Sequence, residues 1–217
     1  MPSPPLTRLH LVRHCEVRNP QGVLYGHLPG FPLSDKGVQQ AHALGEYFAA
    51  RSVGRILSSP LERAQQTAAI IAAHLDGATV DTTEELIEAR FGHYLQGVKP
   101  RDVPWRRPLW MVHMVRPGLL PQDERIAEMA GRVRAPLLRL LRAHPGEGGI
   151  CISHGDPIQA FSVETDGLPA RALHRLQCAK GGVIELTYEG ETLVNKTYLS
   201  PERLGAPAAA PTAGSRT

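Results

Sequence analysis

Cysteine is scarce in this 217-residue chain, and its three copies, Cys15, Cys151 and Cys178, are odd in number and far apart. That spacing argues against a disulfide framework or a cysteine metal cluster and for reduced thiols. No apolar run approaches the roughly 20 residues that cross a bilayer. The opening Met-Pro-Ser-Pro-Pro lacks the charged-then-apolar order of a signal peptide. A soluble, cytoplasmic protein without membrane partners is expected. There is no Gly-rich nucleotide loop ending in Lys-Ser/Thr, no Gly-x-Ser-x-Gly elbow and no His-Glu-x-x-His zinc site. A net charge of +3 does not call for nucleic acid.

What is present is globular. Hydrophobic residues make up 42% and charged residues 21% of the chain, enough for one substantial core. Residues 1–204 are expected to form a single domain. The low-complexity segment 205–217 is expected to be a disordered tail. Strand signals occur at Leu9–Arg13, Arg55–Ser58 and Gly149–Ser153. Ser34 suits the N-cap of a helix through Val38, Ala41, Leu44 and Phe48. Ser59-Pro60 is expected to open a second helix, with Pro at its first position, running through Arg63–Leu75. A third is expected from about Gln122 to Ala143, kinked or divided by Pro136. A short helical stretch near Ile158–Val163 follows, then a hairpin of Gly182–Tyr188 and Thr192–Leu199. This alternation predicts an α/β fold: a three-layer α/β/α sandwich with a mainly parallel sheet. Phe91–Pro121 is weakly periodic and reads as an insertion over the active edge, 91–121. Trp105, Trp110, Met111 and Met114 would there either form an apolar wall for an organic substrate or pack on the core. Arg101, Arg106, Arg107 and Arg116 would form either a solvated loop or a rim that attracts anions.

Two histidines stand where buried strands should end. His14 follows Leu9-His10-Leu11-Val12-Arg13, and His154 follows Gly149-Ile150-Cys151-Ile152-Ser153. Ligands of open α/β sheets bind outside the carboxyl ends of strands. A neutral imidazole is a competent nucleophile towards phosphorus, and the neighbouring Arg13 favours the neutral form of His14. Arg63, in the first turn of a helix, adds its guanidinium to the positive helix end. Glu88, flanked by apolar residues, suits a proton donor whose pKa is raised by burial. His154-Gly155 adds a second imidazole and an unshielded backbone N–H.

With Arg13-His14-Cys15, Ser58–Ala68, Leu86–Gly92 and Ser153–Gly155 in this order, and Leu33-Ser34-Asp35-Lys36-Gly37 between them, the chain resembles the histidine phosphatase superfamily, which includes the phosphoglycerate mutases. The resemblance implies a phosphoglycerate mutase-like fold and phosphomonoester hydrolysis through a phosphohistidine, without metal or other cofactor, on a small phosphorylated metabolite. It implies His14 as nucleophile, Arg13, Arg63 and His154 as phosphoryl ligands, and Glu88 as the acid and then the base. Asn19 and the Gly155 N–H would be further phosphate contacts. Tyr25 would either line the pocket or serve a structural turn. Cys15 stands where the family usually has glycine. A side chain there would strain the His14 loop if the position needs positive φ, or would be tolerated if it points away. The first case would suit a low-activity or repurposed member that binds a phosphorylated ligand. A mutase is a third reading, though no substrate-clamping segment is recognisable in 91–121.

Overall fold

In a computed structural model, the alternating segments assemble on one six-stranded sheet. The structure describes residues 5–116, 118–120 and 123–204, so the segment 205–217 and Gln122 lie outside the described residues. The strands are β1 (Leu6–Arg13), β2 (Val53–Ser58), β3 (Thr79–Thr82), β4 (Gly148–Ser153), β5 (Val183–Glu189) and β6 (Thr192–Leu199). Their order across the sheet is β3-β2-β4-β1-β5-β6. The first four in that order run parallel, while β5 is antiparallel to both β1 and β6.

The helices are α1 (Asp35–Ala49), α2 (Glu62–Ala72), α3 (Gly92–Leu95), α4 (Val103–Arg106), α5 (Trp110–Val115), α6 (Ile126–Ala143), α7 (Gly155–Thr165) and α8 (Pro201–Leu204). Strand periodicity decides which helices cover which face. Ile150 and Ile152 point into one core with Ala41, Leu44 and Phe48 of α1 and Ala64, Ala68 and Ile71 of α2. Leu9, Leu11 and Cys151 point into the other, against Val133, Leu137 and Leu140 of α6 and Phe161 of α7. The result is the three-layer α/β/α sandwich with a mainly parallel sheet. No helix among the described residues is long and apolar enough to cross a membrane.

Several boundaries differ from the sequence expectation. The second helix begins at Glu62 rather than at Pro60. Residues 59–61 instead extend the β2 edge: Ser59 N–H bonds the Ile152 carbonyl, and the Ser59 hydroxyl accepts from Leu61 N–H. Pro136 does not divide its helix, which is continuous from Ile126 to Ala143. The lost hydrogen bond is offset by packing, since Pro136 is itself buried between Val133 and Leu137 in the sequence of that face. The edge strand β3, Thr-Val-Asp-Thr, was invisible to pattern because all four residues are exposed.

The sheet order sets the site. β1 and β4 are adjacent with Arg13 opposite Ser153. Beyond β1 the chain continues to α1 on one face, and beyond β4 to α7 on the other. The two exits diverge, and a crevice opens between the strand ends.

Cys15 falls on the core side of this crevice. It is fully buried among Val12, Ala41 and Leu44. Its N–H donates to Thr67 Oγ1 at 3.1 Å, and no described non-glycine residue has positive φ. Of the two expectations for Cys15, the tolerated side chain holds and the strained loop does not: the thiol fills a core site, and burial pushes its pKa up to about 12. Cys15→Gly should lower the free energy of unfolding by about 2 kcal/mol, from the lost contacts and the freer unfolded backbone. Urea denaturation checks this, and equal stability of the two proteins would show that the side chain does not pack as described.

Candidate active site

His14, Arg63 and His154 come from three different segments and meet at the ends of β1, β2 and β4. The His14 and His154 ring centres are 5.1 Å apart. Arg63, in the first turn of α2, lies between them and is 1% exposed. Its Nε donates to His14 Nε2 at 3.2 Å, and its Nη2 lies 3.2 Å from His154 Nδ1. Nη2 also donates to the Gly26 carbonyl at 2.8 Å. The Tyr25 ring lies under the guanidinium, 4.8 Å from Cζ to its centre, and edge-on to His14. Tyr25 thus lines the site.

These contacts fix both tautomers. The Cys15 carbonyl only accepts, so His14 Nδ1, 2.8 Å away, carries the proton and Nε2 keeps its lone pair. A guanidinium only donates, so His154 Nδ1 is likewise bare, and its Nε2–H donates to Ser59 Oγ at 2.7 Å. Burial, followed by the charge of Arg63 and then Arg13, pushes His14 well below the usual histidine pKa. Burial, the neighbouring His14 and the two arginines do the same to His154. Two neutral rings therefore direct lone pairs at one buried cation.

Arg13 closes the site from the α7 side. Its Nη1 donates to the Cys178 carbonyl, while Nε is buried without a protein partner. The guanidinium packs on Gly155, where a Cβ would come within 3.2 Å of Cζ. That close approach is the physical need for glycine after His154, and it brings the start of α7 with its unpaired N–H groups beside Arg13. Lys180 adds charge at the rim: it is half-buried, bears on His14, and precedes Gly181, whose N–H bonds the Arg13 and His14 carbonyls.

Glu88 brings a carboxyl within electrostatic reach of Arg63 and Arg13. Its Oε1 accepts from Ala89 N–H at 2.9 Å. Crowding by protein atoms and the nearby Asp156 carboxylate push its pKa up to about 7, against the opposing pull of Ala89 N–H, Arg63 and Arg13. Part of its surface still reaches solvent.

Among the described residues Asn19 makes no hydrogen bond to this cluster. Its amide braces its own loop, Nδ2 donating to the Val23 carbonyl at 2.8 Å and Oδ1 accepting from Val23 N–H at 3.2 Å. The second Nδ2 hydrogen is left for another acceptor. Among Trp105, Trp110, Met111 and Met114, the core-packing expectation fails: Trp105 is 87% and Met111 61% exposed. Trp110 and Met114 line a pocket with Phe91 and Asp156. Ser59 and Asp156 were missed as site residues. Each sat inside or beside a segment already singled out, Ser59 before Pro60 and Asp156 after Gly155. Lys180 lies in no pattern and only the sheet brings it near.

The Glu88–Asp156 coupling is testable. In a log kcat/KM profile for an alkyl phosphate, corrected for ionisation of the ester, activity should fall as pH rises through about 7, where Glu88 loses its proton. Asp156→Asn removes the charge that raises this pKa, so the falling limb should move to lower pH. A limb that stays in place would show that Asp156 does not set it.

The chain is 37% identical over 206 residues to an uncharacterised Mycobacterium tuberculosis protein, Rv0525, covering 93% of this chain and all of that one. It is 30% identical over 189 residues to a Yersinia enterocolitica protein named as a probable phosphoglycerate mutase, GpmB, covering 85% and 86% of the two chains. Among solved structures it superposes on the mycobacterial glucosyl-3-phosphoglycerate phosphatase Rv2419c with a TM-score of 0.73 at 22% identity, covering 89% of this chain and 97% of that one. The last is a likeness of fold. Residues 9–199, which hold the strand ends and the buried cation just described, match the family model, and the chain belongs to the histidine phosphatase superfamily, branch 1.

Proposed function

We propose that the protein hydrolyses a small phosphate monoester through a phosphohistidine on His14. The observation that carries this reading is the His14 Nε2 lone pair, held neutral and aimed at Arg63 beside a second neutral imidazole. In the first step Nε2 attacks phosphorus and the P–O bond to the alcohol breaks. Glu88, protonated near neutral pH, gives its proton to the leaving oxygen. Arg63 and Arg13, with the Gly155 N–H, bind the equatorial oxygens, where charge is spread in the transition state, and His154 holds the Arg63 guanidinium in place through Nδ1. In the second step Glu88, now a carboxylate, takes a proton from water as the water attacks phosphorus. The P–N bond breaks, and Nε2 recovers its lone pair. Ser59 acts as a positioning residue that holds the His154 tautomer.

Hydrolysis is preferred to a mutase reaction because no substrate-clamping segment is recognisable in 91–121, whereas a mutase must keep water from the phosphorylated ring. The repurposed, non-hydrolysing reading loses its motive, since Cys15 sits in the core and leaves His14 in position.

His14→Ala should abolish both turnover and acid-labile labelling by a phosphate ester. Glu88→Gln should lower kcat/KM, which reports the first phosphoryl transfer, for an alkyl phosphate by about 10²–10⁴-fold. The loss should be much smaller for 4-nitrophenyl phosphate, whose leaving group needs no proton. Stable labelling in His14→Ala, or equal losses on both esters, would contradict the assignment.

A further inference from the structure

A pocket of about 350 Å³ has on its wall Asp156, next in the chain to Gly155, and Leu24, next to Tyr25. Its sides are largely apolar: Leu24, Phe91, Leu95, Val103, Trp110 and Met114. The segment that builds it is tied to the catalytic loop through Leu24, whose N–H bonds the Val98 carbonyl and whose carbonyl accepts from Gly97 N–H, both at 2.8 Å. The polar members of the lining are Asp156, His113 and His174, and among the described residues it contains no lysine or arginine.

The two histidines do not supply the missing positive charge. His113 is stacked face to face on Phe91, ring centres 3.8 Å apart, and its Nδ1 donates to Asp123 Oδ1 at 2.9 Å. Its Nε2 therefore accepts from His174 Nε2–H at 3.1 Å. Burial holds both rings below the ordinary histidine pKa, so they are neutral at pH 7. His174 Nδ1 lies 3.7 Å from Asp156 Oδ1. The charge this wall offers a ligand is thus negative or none.

A second carboxylate or phosphate on the leaving group would enter this space without a cation and next to Asp156. Burying an unpaired charge in such surroundings is strongly unfavourable. An apolar group of suitable size gains by leaving water there. Resting on the hydrolytic reading above, we propose that this pocket holds the leaving alcohol and selects monophosphates of uncharged, mainly apolar alcohols, rejecting esters that carry a second anionic group.

The test compares three alkyl esters of similar leaving-group basicity on the full-length protein: cyclohexylmethyl phosphate, glycerol 3-phosphate and 3-phosphoglycerate. We expect kcat/KM to fall in that order, by about 10²-fold from first to last. Met114→Lys, at a partly exposed lining position, should raise kcat/KM for 3-phosphoglycerate by about tenfold and lower it for the cyclohexylmethyl ester. Equal or better use of 3-phosphoglycerate by the unaltered protein overturns the pocket assignment while hydrolysis stands. So does an unchanged selectivity ratio in Met114→Lys. If no ester is turned over and His14 is never labelled, the hydrolytic reading fails and this proposal falls with it.

Discussion

A guanidinium buried between two neutral imidazoles is the constraint on which the rest of the site depends. Arg63 has no carboxylate hydrogen-bonded to it. Its donors go to two ring nitrogens and a carbonyl, and the Tyr25 face lies below. A cation taken out of water in this way costs several kcal/mol unless its surroundings compensate. An aromatic face and three acceptors compensate only partly. A phosphoryl dianion placed among Arg63, Arg13 and the two rings would complete the charge balance. Burial first, and then this same cation, keep both rings unprotonated.

The sheet makes that juxtaposition possible. Parallel pairing of β1 with β4 puts Arg13 level with Ser153, and pairing of β2 with β4 puts Ser58 level with Ile152. The next residue of each strand, His14, His154 and Ser59, therefore emerges at nearly the same height. Helix α2 then starts three residues beyond Ser59 and returns Arg63 to the centre. Apolar alternation on both faces fixes this register: a slip of one residue would exchange Leu9 and Leu11 with His10 and Val12 across the sheet. Core packing and catalytic geometry are in this sense one constraint.

Much of this was legible in the chain because the chemistry follows strands with clear apolar runs. His14, His154, Arg63, Glu88, Tyr25 and Gly155 all come together, and the doubly covered sheet follows from the spacing of its elements. What escaped was set by tertiary context. Asn19 reads as a ligand by type, and no local pattern announces the turn at Val23 that its amide also braces. Cys15 could strain its loop or be tolerated by type alone, and it is the tertiary structure that decides: its backbone is unstrained and its side chain completes the α1–α2 core. Pro136 reads as a break, but burial of a continuous apolar face overrides it. The Asp156–His174–His113–Asp123 series joins residues from three separated segments, and no local pattern announces it.

The central claim is spatial: Arg13, His14 and Arg63 share one oxyanion. A crystal structure with orthovanadate tests it most directly. The account predicts vanadium in line with His14 Nε2, its equatorial oxygens within hydrogen-bonding distance of Arg13, Arg63 and the Gly155 N–H, and an apical oxygen facing Glu88. Vanadate bound elsewhere, or bound with His14 Nε2 turned away from the metal, would contradict it.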